Sequence, residues 1–392
     1  MPFHNSCPAC GAPGAEVFYR QAQAPVHSVL LLETRAAALA YPQGEIALCF
    51  CAACGFIWNA AFDPALHEYS AKYEATQAFS ATFNAFQRRL AERLIERYDL
   101  HGRDLIEIGC GQGEFLSLLC ALGGNRGEGF DPAYDPARGE PARDELRFVA
   151  DFYSEKYVDH HADFVACKMT LEHIQPVADF VRTVRRSIGD RPGTVVFFQI
   201  PNVRRILQDV AFWDVYYEHC SYFSPGSLAR LFRRCGFDVL DLWTDYDDQY
   251  LMIEARPGDG RGAPLPQEET PADLAAEVAR FAARATATLA DWRTRLDALR
   301  AQGQRAVIWG GGSKGVAFLT QLGLRDGLEY AVDINPRKHG TFMAGTGQAI
   351  VGPETLTGYR PEVVIVMNPV YCAEIRQELD RLGLTAELWP VG

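Results

Sequence analysis

The 392 residues predict an α/β chain built on doubly wound, mostly parallel sheets, with a small cysteine-rich module in front. Three observations carry that expectation. Residues 105–116, Leu-Ile-Glu-Ile-Gly-Cys-Gly-Gln-Gly-Glu-Phe-Leu, pass from a short apolar strand through Gly109, Gly111 and Gly113 into apolar residues at helical spacing. A second such unit starts at Ala306-Val307-Ile308-Trp309 and breaks into Gly310-Gly311-Gly312-Ser313-Lys314-Gly315. Two Cys-x-x-Cys pairs lie near the start. Alternating strands and helices imply a parallel sheet with ligands at the carboxyl ends of its strands.

Composition narrows the function classes. With 48% hydrophobic and 22% charged residues the chain is an ordinary globular protein, and at about 150 residues per domain it holds two to three domains. The formal charge of −12 argues against a general nucleic-acid or membrane-surface binder, because phosphate backbones need a basic face. A local basic pocket for an anionic small molecule stays compatible with it. No apolar run approaches the roughly 18 residues that span a bilayer. The start, with His4 and Cys7 close to Met1, lacks a signal peptide's charged and apolar regions, so a cytoplasmic protein is expected, as a monomer or homodimer.

The first module is assigned to residues 1–70. Cys7-Pro8-Ala9-Cys10-Gly11 and Cys51-Ala52-Ala53-Cys54-Gly55 are two knuckles, and two thiolate pairs of this spacing complete a tetrahedral Zn²⁺ shell. Such a closed site holds a fold and leaves no position for substrate. Unmetallated buried cysteines and a redox dithiol are the alternatives. The other seven of the 11 cysteines lack the spacing and read as packing residues.

Residues 80–98 follow as an amphipathic helix, with Phe83, Phe86, Leu90, Leu94 and Ile95 on one face. The glycines after Ile108 permit positive φ and close backbone approach, and free amides at the helix start attract polar groups, which implies a nucleoside-type cofactor. A plain structural turn is the competing reading. The spacing Glu107-x-Gly109-x-Gly111-x-Gly113 resembles the first motif of class I S-adenosylmethionine methyltransferases. That resemblance implies that the turn receives the methionine end of the cofactor and that Asp131, closing Glu128-Gly129-Phe130-Asp131, binds the ribose hydroxyls. It offers Asp151 for the adenine amino group, with Glu107 and Lys168 as further cofactor-binding candidates.

This central domain is assigned to 71–256, with later strands at Asp163-Phe164-Val165-Ala166 and Thr194-Val195-Val196-Phe197-Phe198. Residues 257–267 are a Pro- and Gly-rich linker. Leu274, Val278, Phe281, Ala285, Leu289, Trp292, Leu296 and Leu299 then define one long helix over 268–302 with a narrow apolar seam. Residues 303–392 form a second Rossmann-like unit, its strands including Tyr330-Ala331-Val332-Asp333 and Val363-Val364-Ile365-Val366-Met367. A duplication without ligand and a second nucleotide site stand equal there. Lys314 leans toward the latter, since ammonium and helix-terminal amides both favour phosphate.

Tyr216-Tyr217-Glu218-His219-Cys220-Ser221-Tyr222-Phe223, after the strand and turn ending Pro201-Asn202, supplies proton-transfer groups over the cofactor domain. Neighbouring residues on extended chain face opposite ways, so a Glu218–His219 hydrogen bond does not follow from adjacency. His173, in Leu171-Glu172-His173, is a second candidate.

Taken together, the paired knuckles, the cofactor turn, Leu171-Glu172-His173, the Tyr-x-Glu-His-x-x-Tyr-Phe block and the C-terminal Lys-Gly turn with Val332-Asp333-x-Asn335-Pro336 and Gly345-Thr346 resemble the three-domain sugar C-methyltransferases. These act on nucleotide-linked keto-deoxysugars, and the match runs over nearly the whole length. The resemblance implies a structural zinc module, a class I methyltransferase domain, a C-terminal substrate-binding domain, and C-methylation beside a carbonyl. His219 would be the base, Glu218 its partner or a substrate ligand, and Tyr216 and His173 donors near the carbonyl oxygen. Tyr73 would complete the pocket, with Lys314, Tyr222 and Asn202 toward the substrate. An enolate oxygen must be stabilised before an imidazole can remove an α-proton at a useful rate, and methyl transfer asks mainly for alignment and exclusion of water. Gly312-Ser313-Lys314-Gly315-Val316-Ala317-Phe318 lacks the Asn-Thr expected after Lys-Gly in antibiotic-sugar members, which leaves open a cell-surface polysaccharide sugar or another keto substrate. An O- or N-methyltransferase and a non-catalytic scaffold are the rival readings.

Overall fold

A computed structural model describes residues 6–66 and 73–392. The boundary expected between residues 70 and 71 lies outside the described residues. The central sheet has seven strands: β1 Asp104–Ile108, β2 Arg126–Phe130, β3 Leu146–Val149, β4 Phe164–Lys168, β5 Val195–Pro201, β6 Phe237–Asp245 and β7 Tyr250–Pro257. They lie in the order β6-β7-β5-β4-β1-β2-β3, with β1 to β5 parallel and β7 antiparallel to both β5 and β6. The chain leaves β1 toward β2 on one side and reaches β4 on the other. That switch opens a crevice at the strands' carboxyl ends, where the glycine turn sits.

Local chemistry sets the helices. Ser80 caps Ala81–Tyr98 by accepting from Phe83 N, and Phe86, Leu90, Leu94 and Ile95 are buried as their spacing predicts. Thr270 and Asp273 form a capping box, with Pro271 at the first position, that starts the long helix Pro271–Ala301. Its apolar stripe is buried except for Leu289, which is half-buried, and it packs with N-terminal, central and C-terminal residues in one core. Among the described residues no helix is long and apolar enough to cross a membrane.

The C-terminal sheet comprises β8 Ala306–Trp309, β9 Tyr330–Val332, β10 Ala349–Val351, β11 Val363–Val366 and β12 Glu387–Pro390, all parallel, in the order β10-β9-β8-β11-β12. The N-terminal module differs from the expected separate unit. Its antiparallel sheet, Glu16–Pro25, Gln43–Phe50 and Ile57–Asn59, takes Ser221–Tyr222 as a fourth strand, with Ile57 opposite Tyr222 and Trp58 opposite Ser221. Phe56 packs on Phe223, a ring of the central segment, with centroids 5.2 Å apart. Alternation within the central segment gives no warning of this, because a two-residue strand is too short to carry a pattern.

Candidate active site

One cavity of about 1140 Å³ lies where the three parts meet, lined by Gly109, Asp131, His173, His219, Tyr73 and Lys314 among others. It is large enough for a nucleoside cofactor and a second molecule together. At its cofactor end, Gly109 and Gly111 adopt φ of 70° and 56°. A side chain at Gly109 would overlap Thr170, whereas above Gly111 there is open space. Asp131 accepts from Gly111 N at 2.9 Å and from Ala133 N at 2.7 Å, so the backbone aims its carboxylate along the turn. Burial raises its carboxyl, opposed by those two hydrogen bonds.

Glu107 is buried at the base, and its Oε2 has no hydrogen-bond partner among the described residues. Burial raises its carboxyl and lowers the Lys168 amine. Lys168 Nζ lies 3.6 Å from the Phe115 ring centre and donates to Gln87 at 2.5 Å. An orphaned buried carboxylate oxygen beside an open glycine turn suits a cofactor carrying an ammonium group. These residues, with Asp131, would hold S-adenosylmethionine, which brings an electrophilic sulfonium methyl. Asp151 does not join them. The Tyr157 hydroxyl at 2.7 Å and the Lys156 ammonium at 2.9 Å take its carboxylate and hold its carboxyl down at about 2. Phe152 and Tyr153 line the cavity beside it instead.

The block at 216–222 folds as a turn, His219 N donating to Tyr216 O at 3.2 Å, so Glu218 and His219 diverge. The His219 ring lies 4.1 Å from that of Tyr216 and 4.8 Å from that of His173, centre to centre. Burial pushes the Tyr216 phenol well up, which keeps it protonated and able to donate. Glu218 is not the partner of His219. Its carboxylate pairs with His27 Nδ1 at 3.3 Å, accepts from the Ser28 hydroxyl, and lies 3.4 Å from the Ser313 hydroxyl. Burial would raise its carboxyl, yet the hydrogen bonds from His27 and Ser28 and the nearby imidazoles bring it below its ordinary value.

His173 also departs from expectation. Its Nδ1 meets the Glu218 carbonyl at 2.9 Å, so Nδ1 carries the proton; burial lowers its pKa, and in the neutral ring Nε2 is an acceptor, not a donor. Glu172, His173 and His219 each place a ligand-capable atom within 4.8 Å of the others. His27 and Ser28 carry no signal in the sequence of a role here, and nothing about a lone His-Ser pair 190 or so residues from the block announces the contact. Glu172 stands inside the Leu171-Glu172-His173 motif, where only the histidine is expected to act.

Three substrate candidates are otherwise engaged. Tyr222 is buried in the core, its hydroxyl 3.4 Å from the Tyr216 carbonyl, and does not line the cavity. Asn202 borders it, but its side chain caps the helix Val203–Gln208 and donates to Asp248 O at 3.0 Å. Lys314 points away from its own glycine turn to Asp214 at 3.0 Å and Gln249 at 2.8 Å, and burial lowers its amine. The ammonium over that turn belongs to Lys338, 3.1 Å from Asp333 Oδ2 and 3.4 Å from Gly311 O. Tyr73 faces the cavity edge-on to His27, ring centres 6.4 Å apart.

The four N-terminal cysteines converge. Cys7 Sγ lies 3.6 Å from Cys54 Sγ, and Cys10 Sγ lies 3.6 Å from Cys51 Sγ. Sulfurs 2.3 Å from one zinc in a tetrahedron are about 3.8 Å apart, so the donor set fits that ion. The knuckles repeat one geometry: Gly11 N donates to Cys7 O and Gly55 N to Cys51 O, each at 2.8 Å, with φ of 77° at both glycines. Arg230 and Arg234, on the helix Pro225–Arg234, donate to Cys54 O at 2.9 Å and Cys10 O at 3.1 Å and fix the knuckles to the central domain.

Comparison with known proteins agrees with this geometry. Residues 83–242 match the family described as a methyltransferase domain, and the chain is an S-adenosylmethionine-dependent methyltransferase. Residues 263–385 match a C-methyltransferase C-terminal domain. The C-methyltransferase NovU of Streptomyces niveus is 27% identical over 304 residues, covering 74% of this chain and 72% of that protein. A ubiquinone biosynthesis O-methyltransferase of Neisseria meningitidis is 25% identical over 161 residues, covering 36% of this chain and 67% of that protein. Among solved structures, 1,6-didemethyltoxoflavin-N1-methyltransferase of Burkholderia thailandensis has a TM-score of 0.34 and 17% identity, over 44% of this chain and 79% of that one.

Proposed function

We propose that the chain methylates the carbon beside the ketone of a nucleotide-linked keto-deoxysugar, with His219 removing the α-proton. The observation that carries this reading is the placement of the His219 imidazole in the same cavity as the glycine turn, against a Tyr216 phenol that stays protonated. The C-methyltransferase type of the C-terminal domain and the likeness to NovU support transfer to carbon. In the reaction the C–H electron pair becomes the enolate double bond and the proton passes to His219. Tyr216 donates to the developing oxyanion, and the enolate carbon would take the methyl from the sulfonium, the methyl–sulfur bond pair staying on sulfur to leave the neutral thioether, as the carbonyl re-forms.

Within the same proposal, Cys7, Cys10, Cys51 and Cys54 bind one structural Zn²⁺. Its effect on the site is indirect: the sheet anchored by the knuckles ends in Ser221–Tyr222, which begins two residues after His219. Metal analysis should return about one equivalent of zinc, with Zn–S distances near 2.3 Å; a metal-free protein with intact fold contradicts it. The reaction is tested by incubating the enzyme with methyl-labelled cofactor and nucleoside-diphosphate keto-deoxysugars deuterated beside the ketone. Mass spectrometry should find methyl gained and that deuterium lost. Deuterium retained in a methylated product, or methyl found on oxygen or nitrogen, overturns the reading.

A further inference from the structure

We propose that Glu172 takes part in catalysis as a neutral carboxylic acid, donating a hydrogen bond to the ketone oxygen as the enolate forms; this rests on the enolisation reading above. Glu172 lines the cavity and is 1% exposed, and neither carboxyl oxygen has a hydrogen-bond partner on another of the described residues. A buried polar group left in that state is costly unless a ligand completes it. One carboxyl oxygen lies within 4.8 Å of ring nitrogens of both His173 and His219, so the group stands beside the base.

Two neighbouring groups are held by their own partners. His173 has its proton on Nδ1, toward the Glu218 carbonyl, and Glu218 itself is held by His27 and Ser28. Tyr216 alone is left from the block, whereas an enolate oxygen has lone pairs for two donors. The titratable groups facing Glu172 are Cys167 on β4, Tyr250 on β7, Tyr216, His219 and Cys220 on the block, and His173 beside it. No lysine or arginine is among these described residues, and burial pushes the carboxyl up to about 8. A carboxylic acid kept neutral by an apolar site can serve as an oxyanion donor at neutral pH. It keeps its proton through the step: His219 receives the carbon-bound proton, and Glu172 only shares its own.

The first test needs no substrate. Infrared difference spectra of the whole protein should show the carbonyl stretch of a neutral carboxylic acid at pH 6.5 that fades through about pH 8 and is missing in Glu172→Gln. Glu172 bound as carboxylate at pH 6.5 overturns the proposal. The second test uses a nucleoside-diphosphate 4-keto-6-deoxyhexose as probe, reading solvent deuterium exchange beside the ketone without methyl donor. Glu172→Leu should slow exchange about 10²–10³-fold, the usual loss for one oxyanion donor. Glu172→Gln, still a neutral donor, should stay within about tenfold of wild type and lose the decline above pH 8. Equal loss in the two variants overturns the proposal. Exchange undiminished in His219→Asn instead sinks the enolisation reading, whatever the infrared result.

Discussion

In the turn after β1, Gly111 N donates to Asp131 Oδ2 at 2.9 Å and Ala133 N to Oδ1 at 2.7 Å; in the turn after β8, Gly311 N donates to Asp333 Oδ2 at 3.0 Å and Asn335 N to Oδ1 at 2.9 Å. The backbones match closely in their bonding, yet the sites differ in charge. Above Gly111 the space is open, and among the described residues no ammonium pairs with Asp131. Above Gly311, Lys338 pairs with Asp333 and is buried. The first turn can accept hydroxyl donors on a carboxylate, whereas the second presents a carboxylate already neutralised. One lysine, from the single-turn helix Pro336–Lys338, decides what an otherwise repeated motif can bind.

The largest expected effect tests whether chemistry belongs to the first turn's side of the cavity. His219→Asn should lower turnover by about 10²–10⁴-fold, the contribution of a positioned general base, with cofactor affinity nearly unchanged. Asp333→Ala comes next. It strands the buried Lys338 ammonium and should destabilise the fold by about 3–5 kcal/mol in denaturant unfolding, again with cofactor affinity unchanged. If calorimetry instead shows weaker cofactor binding in that variant, the contrast between the turns is wrong. Asp131→Ala should do the reverse, weakening S-adenosylmethionine by about 1.5–3 kcal/mol, the range for hydrogen bonds to a charged group. A pH-dependent effect concerns Glu172. Its carboxyl is raised by burial, so the folded state holds a proton that the unfolded chain has already released. Wild-type stability should therefore fall relative to Glu172→Gln as pH rises from about 4.3 toward about 8, and the two should converge below that window.

Much of this architecture is legible in the residues alone. The strand, turn and helix at 105–123 need only period and glycine placement, and the cysteine spacing brings Cys7, Cys10, Cys51 and Cys54 together as expected. Asp151, Tyr222 and Lys314 meet partners that the sequence does not announce, for a common reason. Each residue type suits the chemistry, but its partner is set by side-chain direction: Asp151 toward Tyr157, Tyr222 into the core, Lys314 toward Asp214. Glu218 is the clearest case, since a turn at 216–219 sends its carboxylate to His27, 191 residues away.

The sequence by itself determined the elements and the donor sets, because propensity, hydrophobic period, glycine's access to positive φ and cysteine spacing act over a few neighbouring residues. Only the tertiary structure decided which acids are free. Whether a carboxylate is neutralised, as Asp333 is by Lys338, engaged, as Glu218 is by His27 and Ser28, or left buried without a partner among the described residues, as Glu172 is, depends on groups brought in from elsewhere in the fold. Charge and hydrogen bonding in a buried site act through space over a few ångströms, and distance along the chain says nothing about which groups that space contains.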